Sequence, residues 1–219
     1  MIEPQDESNT KQRDSSISEL GDIIKKYPAF LNLEGRNVLL IGGGNVAMEK
    51  LPNLVLAHAK VTVISVHFNE ECQAFLLNHP QIHKEQREIR LNDLDERDLI
   101  FSATNNKALN AAMVEYARDK RIWINSCDDP NNCDFYSASV FDRGPIRIAV
   151  STDGRFAGLG SLVKKILNDL LPEDHNAEWE DILQFRNKLK TQEADPAKRK
   201  KILQDLLKDL ETKYFNNSI

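Results

Sequence analysis

Residues 37–47 read N-V-L-L-I-G-G-G-N-V-A: a five-residue apolar strand that runs straight into three glycines and then into a helical stretch, Asn45 to Ala57. The spacing Gly42-x-Gly44-x-x-Ala47 is a dinucleotide fingerprint with alanine in its third place. Gly42 permits a tight turn, Gly44 lets the backbone approach a pyrophosphate, and Ala47 allows close packing of helix on strand. The first turn of the following helix offers free N–H groups and the positive end of a dipole to that pyrophosphate.

Outward from the loop, strands and helices alternate. Lys60–Val66 is a second strand rich in β-branched residues, and Glu70–Asn78 is helical. Ile82–Ile89 is a weaker strand candidate. Leu99–Ala103 reads as a buried strand, Lys107–Lys120 as an amphipathic helix and Arg121–Ser126 as another strand. This rhythm predicts a Rossmann-type α/β fold with a parallel, doubly wound sheet. It then changes. Tyr136–Phe141 and Ile146–Ser151 flank Asp142-Arg143-Gly144-Pro145, a hairpin. Helices follow at Leu159–Leu171, Ala177–Thr191 and Pro196–Phe215, with Asp195 placed to cap the last. Near the start, Ile17–Tyr27 could form a short helix, and Pro28–Leu33 a strand or extended lead-in. The organisation expected is a polar extension over 1–27, a nucleotide-binding domain over 28–140, and a hairpin plus helical domain over 141–219.

Composition narrows the function classes. The 219 residues carry a net charge of −5, which gives no support to general nucleic-acid binding. No apolar stretch approaches the roughly 20 residues of a membrane span. The acidic, polar start M-I-E-P-Q-D-E lacks the pattern of a signal peptide. Cys72, Cys127 and Cys133 are odd in number and lack C-x-x-C spacing, so reduced thiols and a cytoplasmic location are expected. The five histidines are scattered, and no metal site is expected.

Three further stretches sit where chemistry would be. The second strand ends Ile64-Ser65-Val66-His67. Ser65 can hydrogen-bond a ribose, but no acid stands there before Glu70, and no arginine awaits a 2′-phosphate. NAD is therefore favoured over NADP. Ala103-Thr104-Asn105 follows a central strand, where Thr104 and Asn105 could line the nicotinamide side or cap the next helix; the two roles are compatible. Asn125-Ser126-Cys127-Asp128-Asp129-Pro130 also follows a strand. Paired carboxylates there suit acid–base work, because like charges raise one pKa, although Asp-Pro is also ordinary turn chemistry. Arg143, Arg147, Arg155, Lys164 and Lys165 concentrate positive charge that would suit an acidic substrate or be a solvated surface.

Taken together, these residues resemble a family. Val38–Ala47 with Lys50, Val61–Ile64, Ala103-Thr104-Asn105 with Asn110, Asn125–Pro130, Cys133-Asp134-Phe135, Asp142–Pro145 and Ile148–Thr152 are similar, in unbroken order, to the precorrin-2 dehydrogenases and the N-terminal module of sirohaem synthases. The resemblance spans residues 28–172. It implies oxidation of the tetrapyrrole precorrin-2 to sirohydrochlorin with NAD, in some members with iron or cobalt insertion, by a homodimer with an interdigitated second domain. The family's catalytic aspartate carries over to Asp128 and not to Asp129. Cofactor contacts are expected from Gly42, Gly43, Gly44, Asn45, Val46, Ser65, Thr104 and Asn105. Substrate contacts are expected from Arg143, Ser151, Thr152 and Arg155. No membrane or nucleic-acid partner is implied, and the 219 residues leave no room for a methyltransferase half. Two departures stand out. The family's Arg-Lys after the loop is Glu49-Lys50, and its Gly-Gly-x-Ser-Pro after Thr152 is Asp153-Gly154-Arg155-Phe156-Ala157. A nucleotide-binding sensor or scaffold, or a chelatase without dehydrogenation, are the competing readings of the same fold.

Overall fold

The computed structural model describes residues 26–127, 129, 132–171 and 176–215. The chain divides into two units, one ending at Tyr136 and one beginning at Ser137, so both hairpin strands fall in the second.

In the first unit, five parallel strands are laid out in the order β3-β2-β1-β4-β5: β1 (Asn37–Ile41), β2 (Lys60–Ser65), β3 (His83–Gln86), β4 (Leu99–Ser102) and β5 (Trp123–Ser126). Helices α1 (Asn45–Leu56), α2 (Glu70–Asn78) and α3 (Lys107–Asp119), with a 3-10 turn at Leu91–Leu94, make the crossovers. This is the doubly wound sheet that the sequence predicts. Its centre is β1, paired with β2 on one side and β4 on the other. Val38 to Ile41 are buried without a break, as befits a strand covered on both faces. Alternation then divides the core. Val38 and Leu40 pack with Ala47, Leu51 and Leu54 of α1, while Leu39 and Ile41 pack with Met113, Val114 and Ala117 of α3.

Two expectations are corrected at the margins. Of the two readings of Pro28–Leu33, the strand is not formed; the segment runs without regular structure, with Phe30 and Leu31 exposed. The weak strand predicted over Ile82–Ile89 shrinks to four residues, since it pairs only with β2 at the sheet edge, and Arg87 just beyond it turns to Asp93.

In the second unit, β6 (Ser139–Arg143) and β7 (Ile146–Val150) form an antiparallel ribbon. The first strand begins and ends later than predicted. Arg143 pairs with Ile146, leaving Gly144-Pro145 as a two-residue loop in place of the four-residue turn. Gly144, at φ 51°, supplies the left-handed conformation that a short hairpin loop requires. Pro145 costs no ladder bond there, because it lies between the strands. Helices α4 (Ala157–Leu170), α5 (Asn176–Gln192) and α6 (Pro196–Phe215) follow. Asp195 caps α6 as expected, its Oδ1 accepting from the Ala197 N–H at 2.8 Å.

Candidate functional site

The sheet order reverses between β1 and β4, so the crevice outside their carboxyl ends is where this fold receives a ligand. Gly42–Gly44 closes one side of that crevice. Gly42 has φ 119°, and a Cβ on it would collide with the Ala103 carbonyl. A Cβ on Gly43 would lie 2.5 Å from the His67 carbonyl oxygen and 2.6 Å from the Phe68 ring. Gly44 differs, since a Cβ there would meet no protein atom within 4 Å. Two glycines thus serve packing, and the third keeps the loop low on its open side.

Gly44 is the N-cap of α1, and among the described residues no side-chain cap bond closes that helix's first turn. Asn45 and Val46 begin the helix beside the open side of the loop, and Ala47 is fully buried against β1. Bare N–H donors, an open glycine and a helix dipole together fit a dinucleotide pyrophosphate. Ser65 ends β2, with its hydroxyl donating to the His67 carbonyl at 2.6 Å.

The neighbouring wall is built by one asparagine. Asn110 of α3 is buried; its Oδ1 accepts from Ser102 Oγ at 2.7 Å and Thr104 Oγ1 at 2.5 Å, and its Nδ2 donates to the Thr104 carbonyl. Thr104 is thereby fixed, and Asn105 is left exposed at the strand end. Asn106, not Asn105, caps α3 by accepting from the Leu109 N–H. A second asparagine, Asn69, caps α2 and also donates to Asn45 Oδ1 at 2.8 Å, while its N–H donates to the Gly43 carbonyl. Sequence reasoning missed Asn69 as a support of the loop. Its place just before Glu70-Glu71 marks a helix cap, but not the reach back to residue 45.

Beyond β5, a cleft of about 140 Å³ is lined by Lys107, Asn110, Ser126, Asp129 and Asn132. Asp129 accepts from Asn132 Nδ2 at 2.8 Å. Asp128, the catalytic candidate, lies outside the described residues, between Cys127 and Asp129. The return of the chain is pinned by Asp134, which exchanges hydrogen bonds with the Ile124 backbone, and by Asn125, which donates to the Phe135 carbonyl. Cys133 donates to the Ser126 carbonyl at 3.1 Å, and burial pushes its thiol pKa up to about 11. Burial also raises that of Cys72. Among the described residues, no group of three metal-ligating side chains gathers, and no helix is long and apolar enough to cross a membrane.

The four expected substrate residues belong to the second unit. Ser151 Oγ accepts from the Asp153 N–H, and Thr152 Oγ1 accepts from the Phe156 N–H, so both shape the turn into α4. Asp153 takes φ 51° and Gly154 φ 74°. Aspartate tolerates this left-handed conformation better than most side chains. Arg155 is exposed and donates to the Thr152 carbonyl. Arg143 is buried, with Nη2 donating to Asn168 of α4 at 2.8 Å and the guanidinium over the Phe141 ring.

Two measurements follow from the loop and the thiol. Gly43→Ala is expected to cost about 1–3 kcal/mol of stability through overpacking against Phe68. Gly44→Ala is expected to stay within about 1 kcal/mol while weakening dinucleotide binding about tenfold; denaturant melts and a fluorescence titration with NAD separate the two. For Cys133, a raised pKa means the reactive thiolate is scarce below about 11. Its alkylation by iodoacetamide, followed by mass spectrometry, should be negligible near neutrality and rise tenfold per pH unit until that value is reached.

Comparison with known proteins bears on the same residues. A family model described as "Putative NAD(P)-binding" matches residues 29–139, about half of the chain. The siroheme synthase of Nitrosomonas europaea is 36% identical over 163 residues, covering 74% of this chain and 34% of that protein. That of Tolumonas auensis is 33% identical over 174 residues, covering 80% and 36%. The chain thus spans about a third of the length of these relatives. Among solved structures, SirC, a precorrin-2 dehydrogenase, superposes with a TM-score of 0.70 at 21% identity, over 83% of this chain and 89% of that one, and so shares the fold. With an NAD(P)-binding model over the sheet that carries the glycine loop, and sirohaem synthases similar over a longer stretch, this chain belongs to the putative NAD(P)-binding family and is a relative of the sirohaem synthases.

Proposed function

We propose that this protein dehydrogenates precorrin-2 to sirohydrochlorin in sirohaem or cobalamin biosynthesis, with NAD as the oxidant. The observation that carries the reading is the convergence at one sheet end of an uncapped α1 N-terminus, the Asn110-held Thr104 loop and the Ser126–Asp129 cleft. The macrocycle loses two hydrogens, one as hydride and one as a proton. NAD, when bound, supplies the hydride acceptor. Gly42–Gly44 and the first turn of α1 hold the pyrophosphate, and Thr104 with Asn105 flanks the nicotinamide end. Absence of an arginine between Ser65 and Asn69 favours NAD over NADP.

Asp128 takes the proton. Its support is its position directly after β5, where the family carries its catalytic aspartate. In a chelating member the same carboxylate would remove pyrrole N–H protons while iron or cobalt enters as substrate. Arg155, Ser151 and Thr152, in the turn between the hairpin and α4, are assigned to the substrate's carboxylates; Arg143, buried against Asn168, joins the hairpin to that helix. Orienting hydride donor and acceptor toward each other supplies much of the acceleration.

Purified protein incubated anaerobically with precorrin-2 and NAD should yield sirohydrochlorin and NADH in the absorbance spectrum. Asp128→Ala should lower turnover at least about 100-fold with NAD affinity nearly unchanged. Near-normal turnover would remove Asp128 from this role, and NAD binding without any tetrapyrrole oxidation would favour the sensor or chelatase readings. Cobalt or iron added after the first reaction tests chelation separately.

The homodimer is proposed on α4. Leu159, Leu162, Ile166 and Leu170 lie at helical spacing on one face and are 45–68% exposed, an apolar stripe that a second copy would cover. Sedimentation should find a dimer, and Leu162→Asp with Ile166→Asp should shift it to monomer.

A further inference from the structure

A larger cleft, of about 480 Å³, opens at the opposite end of the sheet, at the amino-terminal ends of the strands. Asn37 begins β1, Lys60 begins β2 and His83 begins β3, and all three line it. The glycine loop lies beyond the other end of β1, about 13 Å away along four residue steps. A ligand in this cleft therefore occupies a place separate from the dinucleotide crevice. Val55, Ala59, Val61 and Ile82 give it an apolar wall.

The charge of the cleft is one-sided. Lys60 and Arg97 line it, together with His58 and His83, and among the described residues no carboxylate does. Three acids nearby are engaged in other contacts. Asp98 accepts from Arg36 at 3.1 Å and from the Asn37 N–H at 2.8 Å. Asp93 is held bidentately by Arg87, at 2.7 and 2.8 Å, and accepts from the Arg90 N–H as well. Glu85 accepts from Arg87 at 2.7 Å and meets His83 at 3.2 Å. These pairs take up Arg36, Arg87 and the histidine of β3, and they leave Arg97 and Lys60 with no acidic partner among the described residues.

Arg97 is also positioned. It is half-buried, its Nε donates to the Asp93 carbonyl at 3.1 Å, and its Nη1 donates to Thr62 Oγ1 at 3.1 Å. A guanidinium held through Nε and Nη1 by neutral acceptors keeps its Nη2 N–H groups for an oxyanion. His58 adds a further sign of construction. It sits just after α1 at φ 52°, where glycine is the usual residue, and it places an imidazole at the cleft instead.

We infer that this cleft is a second ligand site, for a small organic oxyanion whose phosphate or carboxylate group is gripped by Arg97 and Lys60 while its body rests on the apolar wall. The size suits a small molecule and excludes a folded partner. The site stands independently of the proposed dehydrogenase activity, since none of its residues touches the glycine loop or the Ser126–Asp129 cleft.

The test is a titration of the full chain, saturated with NAD, with pyrophosphate and separately with citrate at constant ionic strength, read by amide NMR shifts. Saturable shifts are expected at Asn37, Lys60–Thr62, His83 and Arg97, with Gly42–Gly44 unmoved. Tighter binding of pyrophosphate would identify a phosphate ligand, and tighter binding of citrate a polycarboxylate. Lys60→Gln, an exposed change that leaves the core intact, should weaken binding about tenfold. Arg97→Lys, which keeps the charge and loses the fork, should do so as well. Shifts that never saturate, that persist unchanged in both variants, or that appear only at the glycine loop would overturn the proposal.

Discussion

Contact between backbones at the turn after β1 is the constraint on which the first unit depends. Gly42 abuts the Ala103 carbonyl and Gly43 abuts His67 and Phe68, so the loop after β1 is wedged between the loops that leave β4 and β2. No side chain could occupy either position without moving one of them. The three loops are locked together by hydrogen bonds as well: the Gly42 N–H to the Ile64 carbonyl, the Ala103 N–H to the Ile41 carbonyl, and the Asn69 N–H to the Gly43 carbonyl. A crevice whose floor is backbone packed on backbone has little freedom to relax. Its donors are held in place before any ligand arrives, which lowers the ordering cost of binding.

Amides do the rest of the positioning. Asn110, Asn69 and Asn125 each join a helix or strand to a loop that has no regular structure of its own. A buried amide that satisfies several loop groups at once replaces water for all of them and penalises any other loop conformation. Asp134 acts similarly at the outer edge of β5, where its backbone and carboxylate both bond to Ile124 in place of a further strand. The result is a rigid sheet end carrying loops that are irregular in form and fixed in position.

In the second unit, the ribbon and α4 meet through close contact and a buried cation. A Cβ on Gly160 would come within 2.8 Å of Ser139 Oγ, so the helix lies directly on β6. Arg143, expected from sequence as a substrate contact, reaches from the same strand to Asn168 and is buried. After Thr152 the backbone enters the left-handed region at Asp153, and the hydroxyls of Ser151 and Thr152 hold the turn. Arg155 and Phe156 stand exposed at this turn.

Much of this was legible in the chain itself. Strand and helix positions are encoded in short-range periodicity, and Gly42-x-Gly44-x-x-Ala47 carries its φ angles and packing demands locally, so the parallel sheet and its nucleotide loop could be read directly. The last helix, with Asp195 ahead of Pro196, was equally local. Marginal strands such as Ile82–Ile89 and Tyr136–Phe141 were misplaced by a few residues because a strand ends where its partner ends. Tertiary structure alone decided which distant groups meet: Asn69 with Asn45, Thr62 with Arg97, Arg143 with Asn168. It also decided which acids neutralise which arginines and so where positive charge is left over. Those outcomes depend on strand order and crossover geometry, which bring together residues 24 to 35 positions apart, and no pattern within a single helix or strand carries that information.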